Sequence, residues 1–149
     1  MAQHGFHPDL PPNGAAVRNR VHHVRGSDLD DDTAQSAGMR RFAAISGRAV
    51  GSEKLWMGEA HVEPRTASAN HHHGEAETAL FVRSGHPDFV FHDGEKEVRI
   101  STSPGDYVFI PPYLPHREEN PSPDEPAVVV IARSTQEAIV VNLPELYAP

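Results

Sequence analysis

From Met39 onward the chain alternates short apolar runs with turn residues, and that punctuation limits it to folds built from short elements. MRRFAAIS, GSEKLWMGEAHVE, ETALFVRSG, HPDFVFHDG, KEVRIST, SPGDYVFIPP, AVVVIARS and EAIVVNL follow one another. Pro64 stops the second run, and Asp93-Gly94 is a hairpin-turn dipeptide between the fourth and fifth. Turn signals recur roughly every 8–12 residues, the spacing of an all-β sandwich, jelly roll or barrel of eight or nine strands. No segment after residue 39 has a helical period. Fourteen prolines and eleven glycines in 149 residues fit this reading, and the length suits one domain with a real core.

Residues 1–38 read as an extended N-terminal segment and 39–149 as the barrel. HPDLPPNG cannot propagate a helix. AVRNRVHHVRG reads as an edge strand, Asp28 to Asp32 as a solvated acidic run, and Asp31 to Gly38 as a weakly signalled short helix. The polar, proline-rich start is not a signal peptide, and no run approaches the roughly 18 apolar residues of a membrane span. A soluble, cytoplasmic protein is expected. The net charge of -8 argues against a nucleic-acid partner. With no cysteine, any metal must be held by nitrogen and oxygen.

Eleven histidines make such a site the natural question, and NHHHGEAETALFVRSG, residues 70–85, concentrates it. Residues two apart on a strand share a face, so His71 and His73 project together and His72 points away. Glu77 has their parity if the backbone stays extended or turns once through Gly74; Glu75 is a further carboxylate nearby. Two imidazoles and a carboxylate can bind a divalent transition metal. His116 offers a third imidazole, its approach stiffened by Pro111, Pro112 and Pro115.

Taken together, these residues resemble a small single-domain cupin. The first cupin motif reads G, five residues, H-x-H, three or four residues, E, six residues, G; His71, His73 and Glu77 fit its centre. The second reads G, five residues, P-x-G, two residues, H, three residues, N; Gly105, Pro111, His116 and Asn120 fall in register. Arg65 stands at the opening glycine of the first motif, Gly85 is one place late at its close, and Tyr113 stands at the second motif's inner glycine. The resemblance implies a double-stranded β-helix, that is, a jelly-roll barrel, with His71, His73, Glu77 and His116 holding one divalent ion, among iron, manganese, zinc, nickel and cobalt. Asn120 is implied to be structural.

Glu59, His61, Arg83 and Tyr113 are the further catalytic candidates: an acid or base pair on the preceding strand, a carboxylate-binding arginine and a hydrogen-bond donor. Tyr107 is a second donor candidate. Trp56, Met57, Phe81, Phe89 and Phe109 read chiefly as core. The expected function is a metal-dependent enzyme on a small molecule, of oxygenase (dioxygenase-like), decarboxylase, isomerase or cyclase type. The alternative is a non-catalytic ligand-binding or sensor cupin. A homodimer is expected, with no nucleic-acid or membrane partner.

Overall fold

A computed structural model describes residues 20–149. Eleven strands form where eight or nine were expected: β1 (Met39–Ile45), β2 (Trp56–Val62), β3 (Thr66–Ala67), β4 (His71–His72), β5 (Thr78–Ser84), β6 (Asp88–His92), β7 (Glu97–Ser101), β8 (Tyr107–Ile110), β9 (His116–Asn120), β10 (Ala127–Arg133) and β11 (Val141–Asn142). They form two facing antiparallel sheets. One has the order β1-β2-β10-β5-β8; the other runs β11-β4-β9-β6-β7, with β3 added against β9. The all-β jelly-roll expectation holds.

Alternation along the strands places the core. On β2, Trp56, Gly58, Ala60 and Val62 face in; on β5, Thr78, Leu80 and Val82 do. One buried cluster joins Met39, Ala60, Val62 and Ala127, and a second joins Leu80, Phe89, Ile110 and Val129. Trp56 and Phe89 are core as expected. Met57 and Phe109 are exposed, because their parity on β2 and β8 points them outward.

The sequence reading differs from the structure in three further places. Asp31 to Gly38 is not helical: Asp30 bridges Ala43 and Ser36 bridges Met39, so this stretch lies along β1. A one-turn helix, α1 (Gly47–Val50), stands where none was expected, with the Ser46 hydroxyl capping the Ala49 N–H and Gly51 closing it in the left-handed region. The edge-strand expectation for AVRNRVHHVRG falls partly outside the described residues, and its described part, 20–26, forms no strand. None of the described helices is long and apolar enough to cross a membrane.

Both substituted motif glycines keep glycine-like backbone. Arg65 has φ +57° and Tyr113 φ +61°, the two non-glycine residues with positive φ among those described. The loops therefore keep their path at a cost of about 1–2 kcal/mol per residue. Gly85, at φ +80°, has no such latitude: an added Cβ would lie 2.7 Å from both the Ala127 Cα and the Pro126 carbonyl oxygen. Gly85→Ala is expected to lower unfolding free energy by about 2–4 kcal/mol in urea titrations. Tyr113→Gly is expected to leave it unchanged or raise it by up to about 1 kcal/mol.

Candidate metal centre

β4 and β9 pair with His71 directly opposite His116, so two imidazoles leave one sheet side by side. His73 follows two residues on from His71, on the same face. The ring centroids are 4.8 Å apart for His71–His73, 4.5 Å for His71–His116 and 5.0 Å for His73–His116. Each ring offers a nitrogen within 4.8 Å of the others, a group able to hold a metal ion.

Main-chain oxygens orient the rings. His71 Nδ1 lies 2.7 Å from the Ala69 carbonyl, His73 Nδ1 2.8 Å from that of Ile139, and His116 Nδ1 3.0 Å from that of Leu114. A carbonyl only accepts, so each Nδ1 carries the proton and donates it. The three Nε2 lone pairs are left free, the usual state of a ligating histidine. Burial keeps the rings neutral: it pushes His73 and His116 down to about 4 and lowers His71 as well. The donor set therefore fits a divalent transition ion. The proline-rich turn before His116 is tied to the first histidine stretch through the Tyr113 N–H, which donates to the Gly74 carbonyl at 2.8 Å.

Glu77, expected to join these histidines, is not brought to them by the geometry. Glu77 is exposed and lies outside the group, because its neighbours Ala76 and Thr78 are the residues that face in. The chain turns at Gly74, φ +57°, and the inward parity resumes one residue out of step with His71 and His73. With the longer, four-residue motif spacing, Thr78 stands in the carboxylate position and Gly85 closes the motif in register. Thr78 is 5 % exposed and lines the cavity beside the histidines. The displaced closing glycine was the signal for this register.

The other candidates lie elsewhere. Glu59, His61 and Arg83 meet on the outer face of the first sheet. Glu59 Oε1 is 2.9 Å from His61 Nε2 and 2.7 Å from Arg83 Nη2. Their outward parity on β2 and β5 keeps them from the cavity. Tyr113 and Tyr107 are exposed and do not line it; Tyr113 packs near the ring of His72, which also points away from the histidine group. Glu75 is exposed. Asn120 is structural as expected: 1 % exposed, its Nδ2 donates to the carbonyls of Val62, Glu63 and Glu125, and its Oδ1 accepts from the Ser122 N–H.

The cavity over the histidines has a volume of about 570 Å³ and is walled by both sheets, by residues 33–37 and by residues 138–142. Besides aliphatic groups it contains Arg41, Arg133 and Glu118, none of which was singled out from the sequence. All three follow from strand parity once a partner residue is anchored: Arg41 from Met39, Glu118 from His116 and Arg133 from Ile131. Burial raises Glu118 to about 7, against the pull of the Arg41 charge, and lowers Arg133 to about 10.

The cupin domain profile matches residues 58–133, more than half of the chain. The chain belongs to the cupin family. Among curated proteins none matches the sequence of this cupin. Solved structures with the same fold include an S161A mutant of Bacillus subtilis oxalate decarboxylase, at 21% identity and TM-score 0.64 over 75% of this chain and 30% of that one. The Lactobacillus farciminis oxalate decarboxylase formate complex matches at 16% and 0.64, over 78% and 34%. A Klebsiella pneumoniae protein with a double-stranded beta-helix domain matches at 19% and 0.59, over 78% and 94%. This cupin thus spans about a third of the decarboxylases and nearly all of the third protein. At these identities the likeness shows a shared fold.

The protonation states predict the acid behaviour of the metal-free protein. His73 and His116 have folded-state values below the ordinary 6.5, so the unfolded chain binds more protons between pH 6.5 and 4. Their contribution to stability is full above pH 6.5 and is lost as pH falls toward 4. Glu118, raised from 4.5 to about 7, acts oppositely, losing its contribution as pH rises through that window. Glu118→Gln should therefore steepen the acid loss of stability, read as urea midpoints at pH 4.5 to 7.

Proposed function

We propose that this cupin binds one divalent metal ion through His71, His73 and His116 and acts as an enzyme on a small molecule held in the adjoining cavity. The convergence of three neutral imidazoles, each with its Nδ1–H committed to a carbonyl, carries this reading. An ion held there supplies Lewis acidity toward a ligand oxygen. An all-imidazole set suits zinc, iron or nickel better than harder ions, in contrast to the Mn(II) centers of the Bacillus subtilis oxalate decarboxylase.

The chain's own residues do the rest. The two sheets and residues 33–37 and 138–142 wall the space a ligand would occupy. The Glu118 carboxyl faces the same cavity, where its oxygens can exchange a proton with a bound ligand. Decarboxylation is the reaction named for the structural neighbours and is the first of the four reaction types to assay.

Protein purified untagged, without nickel chromatography, should contain one equivalent of divalent metal by elemental analysis. His73→Ala and His116→Ala should each reduce this at least tenfold, and Glu77→Gln should leave it unchanged. Metal content unaffected by the histidine substitutions overturns the site.

A second copy of the chain is the proposed macromolecular partner. The outer face at β8, a sheet edge, presents Tyr107 and Phe109, 81% and 59% exposed, beside Phe81. Sedimentation should give a dimer, and Phe109→Glu should shift it to monomer; a monomeric wild type at high concentration contradicts the proposal.

A further inference from the structure

We propose that Arg41 and Arg133 form an oxyanion-binding subsite beside the three histidines, and that the ligand of the cavity is a small carboxylate with a short apolar body. This deepens the reading of the cavity as the metal-dependent site and rests on it for the location of the chemistry. It starts from an inversion of the usual charge pattern. Arg48, Arg83, Arg99 and Arg117 each have a carboxylate partner within 4.0 Å, although Arg48 and Arg83 are largely exposed. Arg41 and Arg133 are half-buried, line one cavity, and have no such partner among the described residues. A charge withdrawn from water without a partner is costly, and two of one sign in one cavity are costlier.

Both guanidinium groups feel the same space. They line the cavity that holds the three histidines, and the Arg41 charge lowers Arg133. Among the described residues Glu118 is the acidic side chain in the lining, and it forms no ion pair with either arginine. Even with Glu118 ionised, the two arginines leave an excess of positive charge before any metal is counted.

Arg133 is built to present one edge. Its Nε donates to the Thr135 carbonyl at 3.0 Å, its Nη2 donates to the Gln136 carbonyl at 2.8 Å, and its Cζ lies 4.0 Å from the Trp56 ring centroid. Nη1 makes no hydrogen bond to the described residues. Arg41 is held less tightly. Its Nη1 donates to the Ser36 hydroxyl at 3.0 Å and its Nη2 lies 4.0 Å from the Met39 sulfur. The Gln35 side chain pins its main chain, bonding both the Arg41 N–H and carbonyl. A fixed guanidinium and an adjustable one, facing a common volume, suit an oxyanion.

The rest of the lining chooses among oxyanions. Ala60, Ala76, Leu80, Ile110 and Ile131 give an apolar wall. A volume of about 570 Å³ is within the range for small-molecule sites. Among the described residues no helix N-terminus opens into the cavity, since α1 does not line it. Phosphate groups are commonly held by such N–H groups. A carboxylate on a short carbon chain satisfies both the charge and the wall.

The test is calorimetric titration of the metal-loaded full chain with straight-chain carboxylates from acetate to glutarate, with butanamide as the neutral counterpart of butanoate, and with inorganic phosphate. At least one carboxylate should bind, and butanoate should bind at least tenfold more tightly than butanamide. Arg41→Met should weaken the best carboxylate at least tenfold, with metal content and thermal midpoint retained and Arg41→Lys recovering part of the loss. Arg133→Lys, which keeps the charge on Trp56, should weaken it less than Arg41→Met. Equal affinity for butanamide, no binding by any carboxylate, or unchanged affinity in Arg41→Met overturns the subsite; tighter binding of phosphate overturns the carboxylate assignment. The same titration on chelator-treated protein separates the two readings: Arg41-dependent carboxylate binding to a chain that retains no metal keeps the subsite and defeats the metal.

Discussion

Three Nδ1–H groups donating to main-chain carbonyls are the interactions on which the candidate site depends. They set the tautomer of His71, His73 and His116, aim the remaining nitrogens at one point, and tie each ring to backbone that the sheets and turns hold in place. The acceptors come from three different stretches, before β4, before β9 and in the segment leading to β11. The site is therefore assembled only when the second sheet, the proline turn and the chain's last third are all in register. Pairing of His71 with His116 across β4 and β9 is the tightest expression of that dependence.

The electrostatics follow from what the ring faces are not given. Three neutral donors bring no negative charge, and Thr78 occupies the inward position where the family motif places glutamate. A divalent ion held by such a set would keep its full charge, and the same cavity contains two arginines and one carboxyl group of raised proton affinity. Removal of a carboxylate ligand and the presence of unpaired arginines act in the same direction. On the proposed reading, both would favour a negative ligand in the cavity over a cationic one.

Much of this was legible in the chain before any coordinates. The turn punctuation identified the all-β class and most of the longer strands but not the two-residue strands β3 and β4, and parity separated His72 from its two neighbours. It failed where one residue of irregular backbone changes the face. Gly74 takes a positive φ, and beyond it alternation restarts, so that Ala76 and Thr78 face in and Glu77 faces water. Period-two arguments carry no information across such a turn. The same limit explains Glu59 and His61: the strand was recognised, but which face met the other sheet depends on Val62 and Ala60 packing with Met39 and Ala127, contacts distant in sequence. Arg41 and Arg133 were unreadable for that reason too, since an arginine on an edge or central strand is unremarkable until its cavity is known.

Diffraction from crystals of metal-loaded protein, with data collected at the absorption edge of the bound ion, tests the central claim most directly. A single anomalous peak within bonding distance of the Nε2 atoms of His71, His73 and His116, with the Glu77 carboxylate turned to solvent, is the predicted result. A peak coordinated by Glu77, or one lying away from the three imidazoles, would contradict the account.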